Sequence, residues 1–166
     1  LIIVLILAIS ASWTNFVGAP WVPTSMNLVH KMLKLAEVGS DDIVYDLGCG
    51  DGRTIVTAAR RYGARAVGIE IDPLRYIWCQ LLITILGLRN RVRIVYGNFF
   101  KHDLSEATVV TCYLLPETNS DLQDKLKKEL PFGARIVSNT FTFPSLNSVR
   151  QDGEARLYTV YSAHPD

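Results

Sequence analysis

The chain has 166 residues, a formal net charge of +1 and a hydrophobic fraction of 49%. That length holds one ordinary core rather than two, and the near-neutral balance supplies no field strong enough to draw it to nucleic acid. Cys49, Cys79 and Cys112 form no CxxC pair and have no histidines at zinc spacing, so they read as free buried thiols in a reducing compartment, and no metal is expected.

The chain opens "LIIVLILAIS", and no Lys, Arg, Asp or Glu occurs before Lys31. Residues 1–18 just reach the span of about 17–25 residues that a membrane helix needs. Ser10, Ser12, Thr14 and Asn15 weaken the second half, so an export signal cleaved near Ala11 and a buried or oligomer-contacting helix stay as alternatives. Residues 19–36 read as a lid loop followed by a helix. In "PWVPT", Pro20 and Pro23 stiffen the loop and Trp21 offers a broad apolar face. Thr24 or Ser25 then caps a helix whose Val29, Met32, Leu33 and Ala36 share one side.

From residue 37 to 166, strands alternate with helices. "DDIVYDLG" predicts a buried strand, and "RTIVTAARRYG" a helix that stops at Gly63. "ARAVGIEID" is a second strand, after which Asp72 and Pro73 start a helix reaching Gly87. "RVRIVYGN" and "ATVVTCYLL" are the third and fourth strands, "SDLQDKLKKELPFG" a helix beginning at Ser120, and "ARIVSNTFTF" the fifth strand. The tail pairs "NSVRQDG" with "ARLYTVYSA" through a turn at Asp152 and Gly153. The expectation is an α/β fold: a seven-stranded, mostly parallel sheet covered on both faces, with an antiparallel C-terminal strand at or near its edge, preceded by an N-terminal hydrophobic helix. The helix "PLRYIWCQLLITILGL" is charged only at Arg75 and apolar nearly all round. Either it is unusually buried, for instance in a dimer, or its outer face meets lipid or a membrane-embedded substrate.

The chemistry concentrates in "YDLGCGDGR". Gly48, Gly50 and Gly52 alternate directly after a strand, so the backbone can turn sharply and let a ligand approach the next helix. Dinucleotide sites also use glycine-rich turns, but this spacing is GxGxG rather than GxGxxG, and Asp46 and Asp51 lie inside it. Paired carboxylates repel a pyrophosphate and welcome an ammonium and a sulfonium, which points to S-adenosylmethionine. Glu70, at the end of the second strand, is placed to accept hydrogen bonds from both ribose hydroxyls. Asn98 follows the third strand, where its amide can pair with the adenine edge while Phe99 or Phe100 packs on the ring.

"DLGCGDG", "GIEID" and "GNFF" resemble motifs I, post-I and II of class I methyltransferases dependent on S-adenosylmethionine, over residues 24 to 162. More narrowly, "PWVPT", "VYDLGCGDGR", "GNFF" with "DLSEATVVT", and the closing "LYTVY" resemble the small archaeal protein-lysine methyltransferases. The same pieces, with "FPS" and the apolar N-terminus, are similar to the mitochondrial lysine methyltransferases of the ATP synthase c-subunit. The resemblance implies a Rossmann-like fold, transfer to a lysine side chain of a protein, and closure of Trp21 and Thr24 over the cofactor.

The acceptor side falls in "TCYLLPETN". Amino-directed nucleic-acid methyltransferases place Asn or Asp before two prolines there, whereas this chain has Tyr113, Leu114, Leu115 and Pro116. Cys112, between Thr111 and Tyr113, reads as buried strand rather than nucleophile. Tyr113, Glu117 and Asn119 are the polar groups able to line an amine channel, and Tyr113 and Asn119 are the acceptor-site candidates. A small molecule, a lipid or RNA stays open as the acceptor, as does a cofactor-binding subunit that needs a partner. Because the cofactor is made in the cytosol, residues 1–18 are expected to be an uncleaved anchor, with the catalytic domain on the cytosolic or matrix-like side and a membrane-associated protein as partner.

Overall fold

Runs of β-branched residues closed by glycine turns and capped helices give a βα alternation through most of the chain, ending in strands with no helix between them. The computed structural model describes residues 22–161, so the expected anchor at 1–18 and Trp21 lie outside the described residues. In chain order the elements are α1 (Met26–Leu35), β1 (Ile43–Leu47), α2 (Arg53–Tyr62), β2 (Arg65–Glu70), α3 (Pro73–Ile85) and β3 (Val92–Tyr96). A 3-10 turn (Phe99–Lys101), β4 (Val109–Cys112), α4 (Pro116–Glu129), β5 (Arg135–Asn139), β6 (Arg150–Asp152) and β7 (Ala155–Thr159) follow.

The seven strands form one sheet in the order β3-β2-β1-β4-β5-β7-β6. β1 to β5 run parallel, β7 pairs antiparallel with β5, and β6 pairs antiparallel with β7. The antiparallel strand expected at or near the edge is therefore β7, one position inside it. Strand order reverses between β1 and β4, and in open α/β sheets ligands bind beyond the strand ends at such a switch point.

Two apolar layers cover the sheet. Val29 and Leu33 of α1, Ile55 and Ala58 of α2, and Cys79 and Ile83 of α3 pack on one face with Val44, Ala66, Val92 and Val109. Leu122 and Leu126 of α4 pack on the other with Leu47, Ile69, Val110 and Ile136. Burying each such side chain stabilises the fold by about 1.5–3 kcal/mol before entropy is counted.

Local chemistry sets the boundaries, and one of them departs from expectation. The Ser25 hydroxyl, not Thr24, caps α1 by accepting from the Leu28 amide at 3.3 Å. Helix α4 starts at Pro116 rather than Ser120, because a proline at the first helical position has its φ already set and no amide to leave unpaired. The Asp72 cap and Pro73 start of α3 are as expected, Asp72 Oδ1 accepting from Leu74 and Arg75 at 2.9 and 3.0 Å. Within the single chain the outer side of α3 is exposed, with Ile77, Trp78, Leu81 and Ile85 all more than half accessible. Among the described residues no helix is long and apolar enough to cross a membrane.

Candidate active site

The turn after β1 rests on the end of β2. Gly48, Gly50 and Gly52 have φ of 78°, 57° and 84°, the left-handed region that side chains disfavour. Gly48 and Cys49 donate to the Ile69 carbonyl at 2.9 and 3.1 Å. Gly68 makes that approach possible, since a Cβ there would lie 2.6 Å from Cys49 Sγ and 2.8 Å from Ile55 Cδ1. The resulting hollow of about 460 Å³ is lined by Gly48 and Gly50 but not Gly52, which instead ends the turn against Cys79 of α3.

Three carboxylates line this end, and each has a different environment. Glu70 is buried, and its two oxygens accept from Gly50 N and Asp72 N, each at 2.8 Å. Burial pushes its carboxyl above the ordinary value, although those two amides favour the ionised form. Asp46 is buried and accepts from the Thr111 hydroxyl at 2.7 Å. Burial pushes its pKa up to about 6 against the hydrogen bonds of Thr111 and Thr54. Asp51 is also raised by burial, but its bonds to Arg53 outweigh that and hold it below the usual carboxylate range. The Arg53 guanidinium meets both Asp51 oxygens and donates to the Thr24 carbonyl at 2.6 Å. The Asp51 charge is thus matched within the protein, which leaves Asp46 as the loop carboxylate able to receive an ammonium.

The hollow continues past β3. Asn98, Phe99 and Phe100 line it, with Asn98 Oδ1 accepting from Phe100 N at 2.9 Å and the two rings 4.9 Å apart. Thr24 lines it too, alongside Val22 and Pro23. The expected cofactor residues within the described chain, except Gly52, therefore converge on one cavity.

At the far end the wall turns apolar. Tyr113, Leu114, Leu115, Thr118 and Phe141 line it, and the Tyr113 and Phe141 rings stack with centroids 6.3 Å apart at 21°. Burial and the nearby Asp46 push the Cys112 thiol well above its ordinary value, so it stays protonated and is no nucleophile. The first turn of α4 takes Asn119 off the cavity wall: fully buried, its Nδ2 donates to the carbonyls of Phe141 and Thr142, each at 3.2 Å. Its Oδ1 is buried without a partner among the described residues.

Phe141 and Arg53 were not among the expected site residues. Thr140, just before Phe141, has φ 60°, an outlier for a β-branched residue. Arg156 donates to its carbonyl at 2.5 Å, its amide donates to Glu154 O at 2.9 Å, and the Ser138 hydroxyl donates to Phe141 O at 2.7 Å. Strain persists only where surroundings over-determine it, and these bonds do so. No local sequence pattern marks Phe141: it meets Tyr113 only because β5 lies beside β4 in register Cys112↔Ser138, which brings the residues just beyond the two strands together.

A family model described as the ANTKMT methyltransferase domain matches residues 46–150, the stretch that runs from Asp46 to β6. The chain belongs to this methyltransferase family. Within it, the chain is 47% identical over 147 residues to a protein-lysine N-methyltransferase of Saccharolobus islandicus (strain REY15A), covering 86% of this chain and 91% of that one. It is 34% identical to the adenine nucleotide translocase lysine N-methyltransferase of Mus musculus, covering 88% of this chain and 65% of the relative. Among solved structures, an RNA methyltransferase from Salinibacter ruber in complex with S-adenosyl-L-homocysteine superimposes with a TM-score of 0.82 at 41% identity, covering 87% of this chain and 97% of that one. The methyltransferase fold that the motif resemblance implies is thereby established, including its seven-stranded sheet.

Proposed function

We propose that this chain is an S-adenosylmethionine-dependent protein-lysine N-methyltransferase acting on a membrane-proximal protein. The observation that carries the reading is the polarity of one continuous cavity: Asp46, Asp51 and Glu70 gather at the glycine end, and among the described residues no acid lines the Tyr113–Phe141 end. The residues fit the cofactor. Glu70 keeps acceptor capacity for two ribose hydroxyls, Asp46 supplies charge for the methionine ammonium, and Asn98 with Phe99 borders the adenine position. Gly48 leaves space that a side chain would narrow toward Leu114 Cδ2, 3.8 Å from where its Cβ would be. Thr24 borders the cavity on the lid side, and Trp21, outside the described residues, is the residue expected to close over the cofactor.

The bound cofactor supplies an electrophilic methyl on a sulfonium. The chain has to deliver a neutral amine in line with it. Neutralising a lysine of ordinary pKa near 10.4 at pH 7 costs about 4–5 kcal/mol. Leu114, Leu115 and the Tyr113–Phe141 pair reduce that cost by excluding water, because desolvation disfavours the ammonium. A carboxylate on this wall would have stabilised the ammonium instead. Asn119 contributes by holding the turn that carries Phe141, while Tyr113 borders the amine directly.

The names of the archaeal and mouse relatives support lysine as acceptor, and the uncharged stretch from Leu1 to Val29 supports an anchor that keeps the domain beside a bilayer on its cytosolic or matrix-like side. The Salinibacter title favours RNA as the second reading. Against it stand the net charge of +1 and a Tyr-Leu-Leu-Pro sequence where amino-directed nucleic-acid enzymes resemble Asn/Asp-Pro-Pro. Incubating the full chain with methyl-labelled cofactor, membrane protein and RNA tests both. Methyl-lysine in acid hydrolysates is expected, and label confined to RNA overturns the lysine reading.

A further inference from the structure

The two faces of the sheet differ in charge. Helices α1, α2 and α3, which cover one face, contain Lys31, Lys34, Arg53, Arg60, Arg61 and Arg75 and not one Asp or Glu. Helix α4, on the other face, mixes both signs, with Glu117, Asp121, Asp124 and Glu129 beside Lys125, Lys127 and Lys128. From Pro73 through His102 there is again no acid, while Arg89 and Arg91 stand at the end of α3. Arg89 Nε donates to Thr84 Oγ1 of α3 at 2.8 Å, and Arg91 to Gly63 O at 2.7 Å. Among the described residues none of Arg60, Arg61, Arg89 and Arg91 is in an ion pair.

Between Arg75 near the start of α3 and Arg89 and Arg91 just past its end lies an apolar stripe. Leu74, Ile77, Trp78, Leu81 and Ile85 of α3 are 39%, 60%, 53%, 52% and 72% exposed. At about 100° per residue all five fall within an arc of about 100°, opposite the buried Cys79 and Ile83. One exposed hydrophobe is ordinary, but five on one face mark a surface that something covers. The stripe also adjoins the cavity, because Arg75 beside Leu74 lines it, as does the exposed ring of Phe100.

We propose that the outer face of α3, with Arg89 and Arg91 at its rim, docks on an anionic lipid bilayer and so sets the cavity mouth at the membrane surface. An apolar stripe framed by cations is the pattern of interfacial membrane helices. A second copy seated on this stripe would bring acid-free helices against their own kind. Residues 1–18, folded back over it, would cover the apolar part with a segment that has no charge to answer the arginines. An anionic bilayer satisfies both parts. The proposal stands whether the methyl acceptor is lysine or not.

The test uses the full chain with Trp13→Phe and Trp21→Phe, which leaves Trp78 as the sole tryptophan, and vesicles carrying acyl-chain bromines. Trp78 fluorescence is expected to be quenched by phosphatidylglycerol–phosphatidylcholine vesicles and far less by phosphatidylcholine alone. Arg89→Glu/Arg91→Glu is expected to weaken that partition at least about tenfold, and Ile77→Glu/Leu81→Glu to abolish the quenching with cofactor affinity unchanged. Protein that sediments with vesicles while Trp78 stays unquenched is held elsewhere, and overturns the proposal. So does Trp78 shielded from acrylamide without vesicles, which means a second copy or the N-terminal segment covers it. Equal quenching by both vesicle types overturns the anionic requirement. No methyl transfer enters the readout, so failure here is distinct from failure of the lysine reading.

Discussion

The two ends of the cavity are built on different principles. At the cofactor end, backbone does the shaping: three left-handed glycines, the Gly68 contact and two amides on Glu70 leave little to side-chain choice. At the acceptor end, a stacked aromatic pair is held by hydrogen bonds from α4, β5 and β7. The first end is a local construction within a short stretch of chain, and the second is assembled from segments far apart in sequence. In the proposed reading the first end serves a cofactor common to many reactions, and the second sets the acceptor.

If that division holds, Glu70→Ala damages the cofactor end most. Its carboxylate ties Gly50 to Asp72 and, in the proposed reading, also holds the ribose, and charged hydrogen bonds contribute about 1.5–3 kcal/mol each. Cofactor affinity is expected to fall about 100-fold by calorimetry. Affinity within a factor of about two of the wild type would break the comparison, since the ribose would then lie elsewhere. At the other end, Phe141→Ala is expected to lower kcat/KM for the acceptor about 10- to 50-fold, the loss of roughly 1.4–2.3 kcal/mol of aromatic packing at the reacting amine. Cofactor affinity should stay put. A fall in cofactor affinity of the same size would mean that the two ends are one unit.

The cofactor end was the part legible in the sequence, and for a physical reason. Alternating glycines after a strand and an acid at the end of the next are consequences of local geometry, so the residues reveal it. Phe141 was not legible, because its position depends on β5 lying beside β4 and on Thr140 adopting an unfavourable backbone. Asn119 was assigned to the channel because its helix was expected to start four residues late. With Pro116 as the first helical residue, Asn119 turns inward to the Phe141 carbonyl. Arg53 was overlooked because its partner Thr24 lies in a different segment, joined to it only in the folded chain.

Titration sharpens the contrast further. In the free protein Asp46 has a pKa raised to about 6, so by itself it makes folding less favourable as pH rises from about 3.9 toward that value. A bound ammonium favours the carboxylate and lowers that pKa. Cofactor affinity is therefore full above about pH 6 and falls as pH drops below it, by up to about tenfold per unit. Calorimetry at several pH values checks the slope, and Asp46→Asn should flatten it. A slope unchanged in that variant would move the titrating group to Glu70, whose pKa is raised in the same direction. Arg53→Gln comes next in size: losing the tie to Thr24 and the match to Asp51 should weaken cofactor binding about fivefold, since a charged hydrogen bond is worth more than 1 kcal/mol. Unaltered binding would show that the lid side needs no tie.

The smallest effect separates strain from fit at Thr140. A non-glycine residue in a sparsely populated backbone region costs about 1–3 kcal/mol, more toward the upper end when β-branched. Thr140→Gly removes that cost, gives back part of it as unfolded-state entropy, and loses the 2.9 Å bond from the Thr140 hydroxyl to Asn139 Oδ1. The balance is a gain of about 1 kcal/mol and a Tm higher by about 2–4 °C. If the strained turn exists to press Phe141 against Tyr113, the same variant should be more stable and slower, with KM for the acceptor rising while cofactor affinity is unchanged. Greater stability with full activity would mean the surrounding hydrogen bonds alone place the ring. Lower stability would mean that the left-handed turn is relaxed by its partners, and that the acceptor end, like the glycine end, is shaped by backbone rather than held against it.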